Sequence, residues 1–418
     1  MPEVGNPLTY QTSEAEVAAK VWVLQGQGNA LAVETEAGVI LVDSGAGGSR
    51  TDAMISSLRE RTRAPIHAIC YSHGHLGYNA GVPQWLAHAE ERGDPTPRLV
   101  AHQNLIRRYR RYRETAPLQQ RLAEIQFRMP PGSIDAELAI TDPTETFSDS
   151  LTLSPREGAP GRKVELLWAP SETDDALALW LPDERLLYGG AAVIASIPNV
   201  GTPLRTLRDT VRWAETLERL ADLEPAIVIR EFGPAIEPAE EAQRILRATA
   251  EALRWLRAAV VARMNRGMNV TEILHDLEYP PALFDQPWMA PVYGCPDYIV
   301  REIYRSENGW WDRNPTSLHP ASQDAAASAI VSALADRPAV LGRARELAAQ
   351  GQHQLALHVI DLLALAPGDD PDVAEARKLK AEWLRVRASE VSSFVSRSLY
   401  LSSSRLIEKN RGGVVGIR

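Results

Sequence analysis

The periodicity of the apolar residues changes near residue 236 and divides the chain into two kinds of structure. Before it, segments rich in Val, Ile and Leu alternate with amphipathic segments, which predicts strands alternating with helices. After it, nearly every segment has helical spacing, except the Pro- and Trp-rich stretch at 279–322. That stretch is too apolar for a free linker, so we expect an ordered arm. The pattern predicts a layered α/β sandwich followed by an all-α region.

The composition excludes several classes of function. The 418 residues carry a formal net charge of −9, which argues against a nucleic-acid-binding protein. The apolar runs are too short to cross a bilayer, so we expect no membrane span. The first residues lack a basic segment followed by an apolar one, which favours a cytoplasmic location. Two distant cysteines, Cys70 and Cys295, cannot form a disulfide framework or a thiolate zinc cluster.

The stretch AICYSHGHLGYNAG, residues 68–81, contains the residues best suited to bind a metal. A predicted strand ends here in a polar turn that holds His73 and His75. A loop at this point can direct both imidazoles toward one ion. By itself, such a pair is also compatible with two histidines that only form hydrogen bonds.

Several motifs together resemble the linear alkyl sulfatases of the metallo-β-lactamase fold. The resemblance begins with ILVDSGAG and the Ser-His-x-His turn. It continues through further segments along the chain: HQNLIRRYRRYRE, PDYIVREIYR, NGWWDRNPTSLHPAS and FVSRSLYLSSSRL. It implies an αββα metallo-β-lactamase sandwich over residues 1–277. It also implies an α-helical dimerisation domain with an extended Trp/Pro-rich arm over residues 278–418, and therefore a homodimer.

The resemblance implies one complete set of metal ligands. The family's first-metal ligands fall on His73, His75 and, within APSETDD, on Glu172. In that family an Asp at the end of a preceding strand, here Asp43, braces the metal loop. Two histidines and a carboxylate leave coordination positions open for water and substrate. We expect one divalent ion, zinc, with Fe(II) as the alternative because its oxygenases use the same ligand types.

The ligands of the family's second metal are missing from this sequence. Their positions fall on Gly77, Tyr78, Ala191 and, on or near the last one, Phe232. Glu231 or Asp174 could substitute for a lost ligand. The pattern predicts a degenerate second site, in which one half of the family's metal centre is kept and the other is emptied.

Four residues are candidates for substrate binding and catalysis. In SIPNVGTPLRTLRD, Asn199 and Arg205 align with the family's sulfate-holding segment, and an Arg fork suits two anionic oxygens. Tyr78 could donate a proton or ligate the metal, and Glu231 could act as a general base. Each has an alternative: Asn199 as a turn cap, Arg205 exposed on a helix, Tyr78 packed under its loop, and Glu231 paired on the surface near Arg230.

These features predict a metal-dependent hydrolase acting on a small anionic, sulfate-ester-like substrate through a single-metal site. The first alternative is a non-haem Fe(II) enzyme with oxidative or lyase chemistry on a specialised metabolite. The second is a non-catalytic binding relative. The basic run at 107–113 is interpreted as a solvated helix face or an anion-attracting rim. Trp310 and Trp311 are expected to anchor domain packing or a subunit contact.

Overall fold

The computed structural model describes residues 14–134, 138–153 and 161–410. Two compact units emerge from its contacts: Met1–Ala116 with Glu137–Glu307, and Pro117–Ala136 with Asn308–Arg418. These units are defined by contacts within the chain, whereas the predicted boundary after residue 277 separates two family domains. That boundary stays a prediction.

A seven-stranded sheet forms the first layer of strands in the first unit. Its strands follow one another in chain order: β1 Ala15–Ala18, β2 Val21–Gln25, β3 Asn29–Thr35, β4 Gly38–Val42, β5 Ile66–Cys70, β6 Arg98–His102 and β7 Glu145–Phe147. The pairs from β1 to β4 are antiparallel. The pairs from β4 to β7 are parallel, which places the carboxyl ends of β4, β5 and β6 at one edge.

A five-stranded sheet forms the second layer. Its strands are β8 Ser150–Thr152, β9 Glu165–Trp168, β10 Leu177–Leu181, β11 Leu186–Gly190 and β12 Ile227–Arg230, in the spatial order β12-β11-β10-β9-β8. The pairs are antiparallel except β11 with β12, which is parallel. Apolar side chains of both sheets, such as Val42 and Leu179, form one core between them.

Helices cover both outer faces of this pair of sheets. The helices of the first unit are α1 Gly48–Arg61, α2 Val82–Glu91, α3 Asn104–Glu114, α5 Thr210–Asp222, α6 Ala239–Asn265, α7 Val270–Asp276, α8 Pro281–Phe284 and α9 Pro296–Asn308. Residues of α1 to α3 share a core with the outer face of the first sheet, including Leu58 and Trp85. Residues of α5 to α9 share a core with the second sheet, including Trp213 and Leu253. The predicted αββα sandwich is confirmed.

The second unit is helical. It contains α4 Ala116–Gln126 apart from its first residue, and then α10 Gln323–Ala333, α11 Arg337–Ala349, α12 His353–Ala364, α13 Pro371–Glu390 and α14 Phe394–Asn410. A core of Ala, Leu and Val joins α10 to α14, with Ile360 and Trp383 among its buried members. The prediction of an all-α region after the sandwich is confirmed.

One helix boundary differs from the sequence pattern. Helical spacing predicts a helix from residue 203, but α5 begins at Thr210. The Asp209 side chain accepts hydrogen bonds from the backbone N–H groups of Val211 and Arg212, which fixes the start of the helix there. The interpretation of Arg205 as an exposed helix residue is therefore wrong, because Arg205 lies in the preceding loop.

Among the described residues, no helix combines the length and the apolar character that a membrane crossing requires. The expected cytoplasmic location stays a prediction. So does the expected lack of nucleic-acid binding.

Candidate metal and substrate site

Three potential metal ligands converge at the edge where the strands of the first unit end. His73 and His75 lie in the loop after β5, and Glu172 lies in the turn after β9. One donor atom from each lies within 4.8 Å of the other two. The closest pair is His73 Nε2 and His75 Nδ1, 2.9 Å apart, while His75 Nδ1 lies 3.7 Å from Glu172 Oε2. The structure thus brings together the three residues that the sequence singled out.

Hydrogen bonds from beneath the loop orient His73. Its Nδ1 atom lies 2.9 Å from Ser72 Oγ, which leaves Nε2 to face His75. The backbone N–H of Ser72 donates to Asp43 Oδ1 at 2.8 Å, and the Asn79 amide donates to the same oxygen at 2.9 Å. Asp43 follows β4 directly, so the first sheet itself braces the loop.

The buried environment keeps both imidazoles neutral. Burial lowers the pKa of His73 to about 4. Burial also lowers the pKa of His75 well below its usual value, and the neighbouring His73 adds to this effect. A neutral imidazole nitrogen is the form that binds a metal ion, so the environment favours the binding form at neutral pH.

Gly74, between the two histidines, allows a close approach that no other residue would permit. A Cβ at this position would lie 2.7 Å from both Arg108 Cδ and Asp175 Oδ2. Arg108 and Asp175 form an ion pair, and the Asp175 carboxylate is completely buried. The loop therefore packs directly on this ion pair, with glycine as the spacer.

The donor set fits a divalent ion. Two neutral nitrogens and a carboxylate oxygen suit zinc and also Fe(II). Glu172 uses its two oxygens differently: Oε1 accepts a hydrogen bond from Arg208 at 3.0 Å, while Oε2 faces His75. Oε2 is thus the oxygen placed to complete the donor set.

The positions that the family resemblance assigns to a second metal hold no complete set of ligands among the described residues. The Tyr78 hydroxyl donates a hydrogen bond to Glu231 Oε1, and both residues are buried. The centroid of the Tyr78 ring lies 4.3 Å from that of His73. Ala191 and Phe232 are also buried and offer no ligand atom. Burial raises the pKa of both Tyr78 and Glu231.

One alternative from the sequence does not hold. Glu231 is 3% exposed, so its interpretation as a paired surface residue is wrong. Arg230 instead donates to the backbone oxygen of Pro234. Gly77 adopts a φ of 93°, a conformation that glycine accommodates without strain. The backbone conformation alone therefore explains a glycine at this position.

The arginine that contacts the triad is Arg208, which sequence reasoning missed. Its Nη1 atom donates to Glu172 Oε1 and to the backbone oxygen of Asn199. The Asn199 amide approaches the same Glu172 oxygen at 3.5 Å. Arg205 is partly buried nearby, and its charge contributes to lowering the pKa of His75. The sequence did contain a signal for Arg208, because the segment PLRTLRD holds both Arg205 and Arg208.

Comparisons with known families match two consecutive parts of the chain. Residues 23–230 match the family described as "Metallo-beta-lactamase superfamily". Residues 269–410 match the family described as "Alkyl sulfatase dimerisation". The fold and these matches define the chain as a metallo-beta-lactamase superfamily protein with an alkyl sulfatase dimerisation domain.

Individual relatives narrow the assignment. The chain is 26% identical over 402 residues to a linear primary-alkylsulfatase of Pseudomonas sp. (strain ATCC 19151), covering 92% of this chain and 75% of the relative. It is 22% identical over 419 residues to an (R)-specific secondary-alkylsulfatase of Pseudomonas sp., covering 93% of this chain and 61% of the relative. The protein is homologous to the alkylsulfatases.

A solved structure shows the same fold over most of the chain. The stereoselective inverting sec-alkylsulfatase Pisa1 from Pseudomonas sp. superimposes with a TM-score of 0.80 at 20% identity. The match covers 94% of this chain but 65% of that one. The chain thus spans less than two thirds of the sec-alkylsulfatase chain.

Proposed function

We propose that the protein is a metal-dependent hydrolase of small anionic, sulfate-ester-like substrates, acting through one divalent ion held by His73, His75 and Glu172. The observation that carries the proposal is the convergence of these three donor atoms within 4.8 Å. Homology to alkylsulfatases supports the substrate class. When bound, the ion supplies Lewis-acid chemistry that polarises an ester oxygen or lowers the pKa of water.

Arg208 is suited to hold the anionic group of the substrate beside the triad. Its side chain is largely buried, where a charge-assisted hydrogen bond is stronger than in water. The contacts to Glu172 and Asn199 both use Nη1, and a guanidinium carries further N–H donors in the same plane. Arg205 adds a second positive charge nearby. Asn199 contributes by holding both Arg208 and Glu172.

The Tyr78 ring packs beside His73, and its hydroxyl is paired with Glu231. The hydrogen bond between the two side chains lets a proton be held or passed at Tyr78 Oη. Both side chains are shielded from solvent, so a proton carried there is protected from exchange with bulk water. We propose that this pair handles the proton of the reaction, in the space where relatives of this fold would place a second ion.

The proposal is tested by metal analysis together with sulfate release. Protein purified without added metal is expected to contain about one zinc per chain. His75→Ala should lower this content, while His358→Ala, an exposed histidine of α12, should not. Chelation should abolish sulfate release from short alkyl sulfates, and zinc should restore it. Two ions per chain would contradict the single-metal site, and absence of stoichiometric metal would favour a non-catalytic binding protein.

The donor set itself favours one alternative function. Two histidines and one carboxylate are also the ligands of non-haem Fe(II) enzymes. Stoichiometric iron and oxygen consumption with substrate would support oxidative chemistry at this site. Full activity of the zinc form without oxygen would exclude it.

We further propose that the protein forms a homodimer through its dimerisation domain. The family match over residues 269–410 supports this arrangement. Trp310 is 73% exposed and Trp311 38% exposed, an unusual state for two adjacent tryptophans unless another chain covers them. Sedimentation velocity should show a dimer, and the double substitution Trp310→Ala/Trp311→Ala should shift it toward the monomer.

A further inference from the structure

A cavity of about 550 Å³ lies beside the triad and is lined mainly by charged residues. Glu172, one of the three metal donors, forms part of its wall, so the cavity borders the metal site at this residue. Its most unusual property is its arginine content. Five arginines line it, three from α3 and two from the region where α5 begins: Arg107, Arg108, Arg111, Arg208 and Arg212.

The carboxylates in the wall do not balance these arginines. Three acidic residues line the cavity, and each has a partner already: Glu172 contacts Arg208, Asp174 contacts Arg107 and Arg108, and Asp209 caps α5. Arg108 also pairs with the buried Asp175.

Arg111 and Arg212 are the two arginines of this wall that form no ion pair among the described residues. Within the described ranges, neither has a carboxylate oxygen within 4.0 Å. Arg111 instead lies over the Tyr112 ring, 4.9 Å from its centroid, a contact that leaves its N–H donors free to bind an anion. Two such cations facing one cavity favour an anionic occupant.

The cavity wall offers little to an alkyl chain. Among the described residues that line it, the apolar ones are Pro170 and Leu207. A long hydrocarbon would have few apolar side chains to pack on besides the aliphatic stems of the arginines, and it would desolvate their guanidinium groups. The occupant should therefore be compact and polar.

We infer that the preferred substrate is a compact organic dianion, with its ester group at the triad and a second oxyanion group held by Arg111 and Arg212. The inference rests on the proposed function, since it takes the triad as the place of the ester group. The planar fork of each guanidinium can bind two oxygens of a carboxylate, sulfate or phosphate. Arg108 also lines the cavity, but its ion pairs with Asp174 and Asp175 already engage it.

Binding of stable sulfonates tests the inference without requiring turnover. Butane-1-sulfonate, 4-sulfobutanoate and butane-1,4-disulfonate share one anionic end, and the last two add a carboxylate or a sulfonate at the other. Titration calorimetry of the metal-loaded full chain at low salt should show about ten-fold tighter binding of a dianion than of the monoanion. The preference should shrink as salt is added. The tighter of the two dianions identifies the second group.

Variants separate a local contact from a change of net charge. The double substitution Arg111→Gln/Arg212→Gln should reduce the preference to about one while leaving butane-1-sulfonate binding in place. Arg110→Gln removes a charge from the same helix at a residue outside the cavity wall and should keep the preference. Equal affinity for all three sulfonates in the wild type, or an equal loss in Arg110→Gln, would overturn the inference.

Hydrolysis of butyl sulfate, measured in parallel, tests the proposed function separately. If butyl sulfate is hydrolysed and the dianions bind no better than the monoanion, the inference fails and the proposed function stands. If no sulfate ester is hydrolysed but the dianion preference persists and depends on Arg111 and Arg212, the hydrolase proposal fails and the dianion site stands.

Discussion

The Tyr78 hydroxyl donates a hydrogen bond to the Glu231 carboxyl, and the Tyr78 ring packs against His73 of the proposed metal triad. The two residues lie 153 positions apart in sequence, and both are buried. A hydroxyl and a carboxyl joined in this way form a proton-carrying unit and need no ion to neutralise them. Next to the triad, the buried Glu231 carboxyl is therefore satisfied by a hydrogen bond from Tyr78.

Removing the Tyr78 hydroxyl should impair turnover without removing the metal. Tyr78→Phe keeps the ring against His73 but leaves Glu231 without its donor. We expect kcat to fall about 100-fold, the lower range for loss of a proton-transfer group. Metal content should stay unchanged, as measured by elemental analysis.

Tyr71→Phe is the matched control for this substitution. Tyr71 is also buried, and its hydroxyl donates to the backbone oxygen of Thr141, away from the triad. This variant should keep the wild-type kcat. An unchanged kcat in Tyr78→Phe would remove Tyr78 from the proton-handling role.

Arg208 should influence metal binding more strongly than Arg205. Arg208→Gln removes the charged partner of Glu172 Oε1, so the carboxylate is less firmly oriented. Loss of such an outer contact typically weakens metal affinity by about 10- to 100-fold. Arg205→Gln, which removes an equal charge from the same loop, should have a smaller effect. Competition with a chelator measures both metal affinities, and the reverse order would contradict the role of Arg208 in orienting Glu172.

The sequence could predict His73 and His75 because they lie next to a strong local signal, while Glu172 was implied by the family resemblance. His73 and His75 follow the apolar run of β5 directly, and Glu172 follows β9. β5 and β9 belong to different sheets, and the segments that follow them meet at the metal site. The layered fold was predictable for the same reason, since the strand and helix periods are local properties.

The remaining features depend on tertiary contacts that periodicity does not record. Arg208, and not the predicted Arg205, contacts Glu172 because of where α5 begins. The Asp209 cap starts the helix at Thr210, although the preceding residues also have helical spacing. The Tyr78–Glu231 bond depends on the packing of β12 beside β11. The role of Gly74 depends on an ion pair between α3 and the turn before β10.

Gly74→Ala should destabilise the protein and disturb the metal loop together. The added Cβ would lie 2.7 Å from Arg108 and Asp175, closer than non-bonded atoms allow, and the completely buried Asp175 has little room to move. We expect a loss of about 1–3 kcal/mol in the free energy of unfolding, the range for an overpacked site. Metal affinity should fall as well, because the displaced loop carries both histidines.

Gly342→Ala provides a control of the opposite sign. Gly342 lies within α11, and a Cβ there would meet no atom within 4 Å. Alanine should therefore stabilise this helix by about 0.5–1 kcal/mol. Chemical denaturation of both variants measures the two effects. A neutral Gly74→Ala would contradict the close packing of the loop on the ion pair.

Asp43 should make the metal-free protein less stable as the pH rises. Burial raises the pKa of Asp43 from 3.8 to about 6, although hydrogen bonds from Ser72, Asn79 and Tyr188 oppose this effect. Between these two pH values the folded protein binds a proton more tightly than the unfolded chain. The contribution of Asp43 to the free energy of unfolding is therefore largest at low pH and is lost as the pH rises toward 6. A shift of about two units corresponds to about 3 kcal/mol.

Asp43→Asn isolates this contribution, because the amide oxygen can still accept from Ser72 and Asn79 but cannot ionise. We expect the free energy of unfolding of the wild type, relative to Asp43→Asn, to decrease by about 3 kcal/mol from about pH 4 to about pH 7. Denaturant titrations with a chelator present measure this difference at each pH. Parallel stability curves for the two proteins would show that Asp43 keeps an ordinary pKa. A difference that instead grows with pH would mean that its hydrogen bonds outweigh its burial.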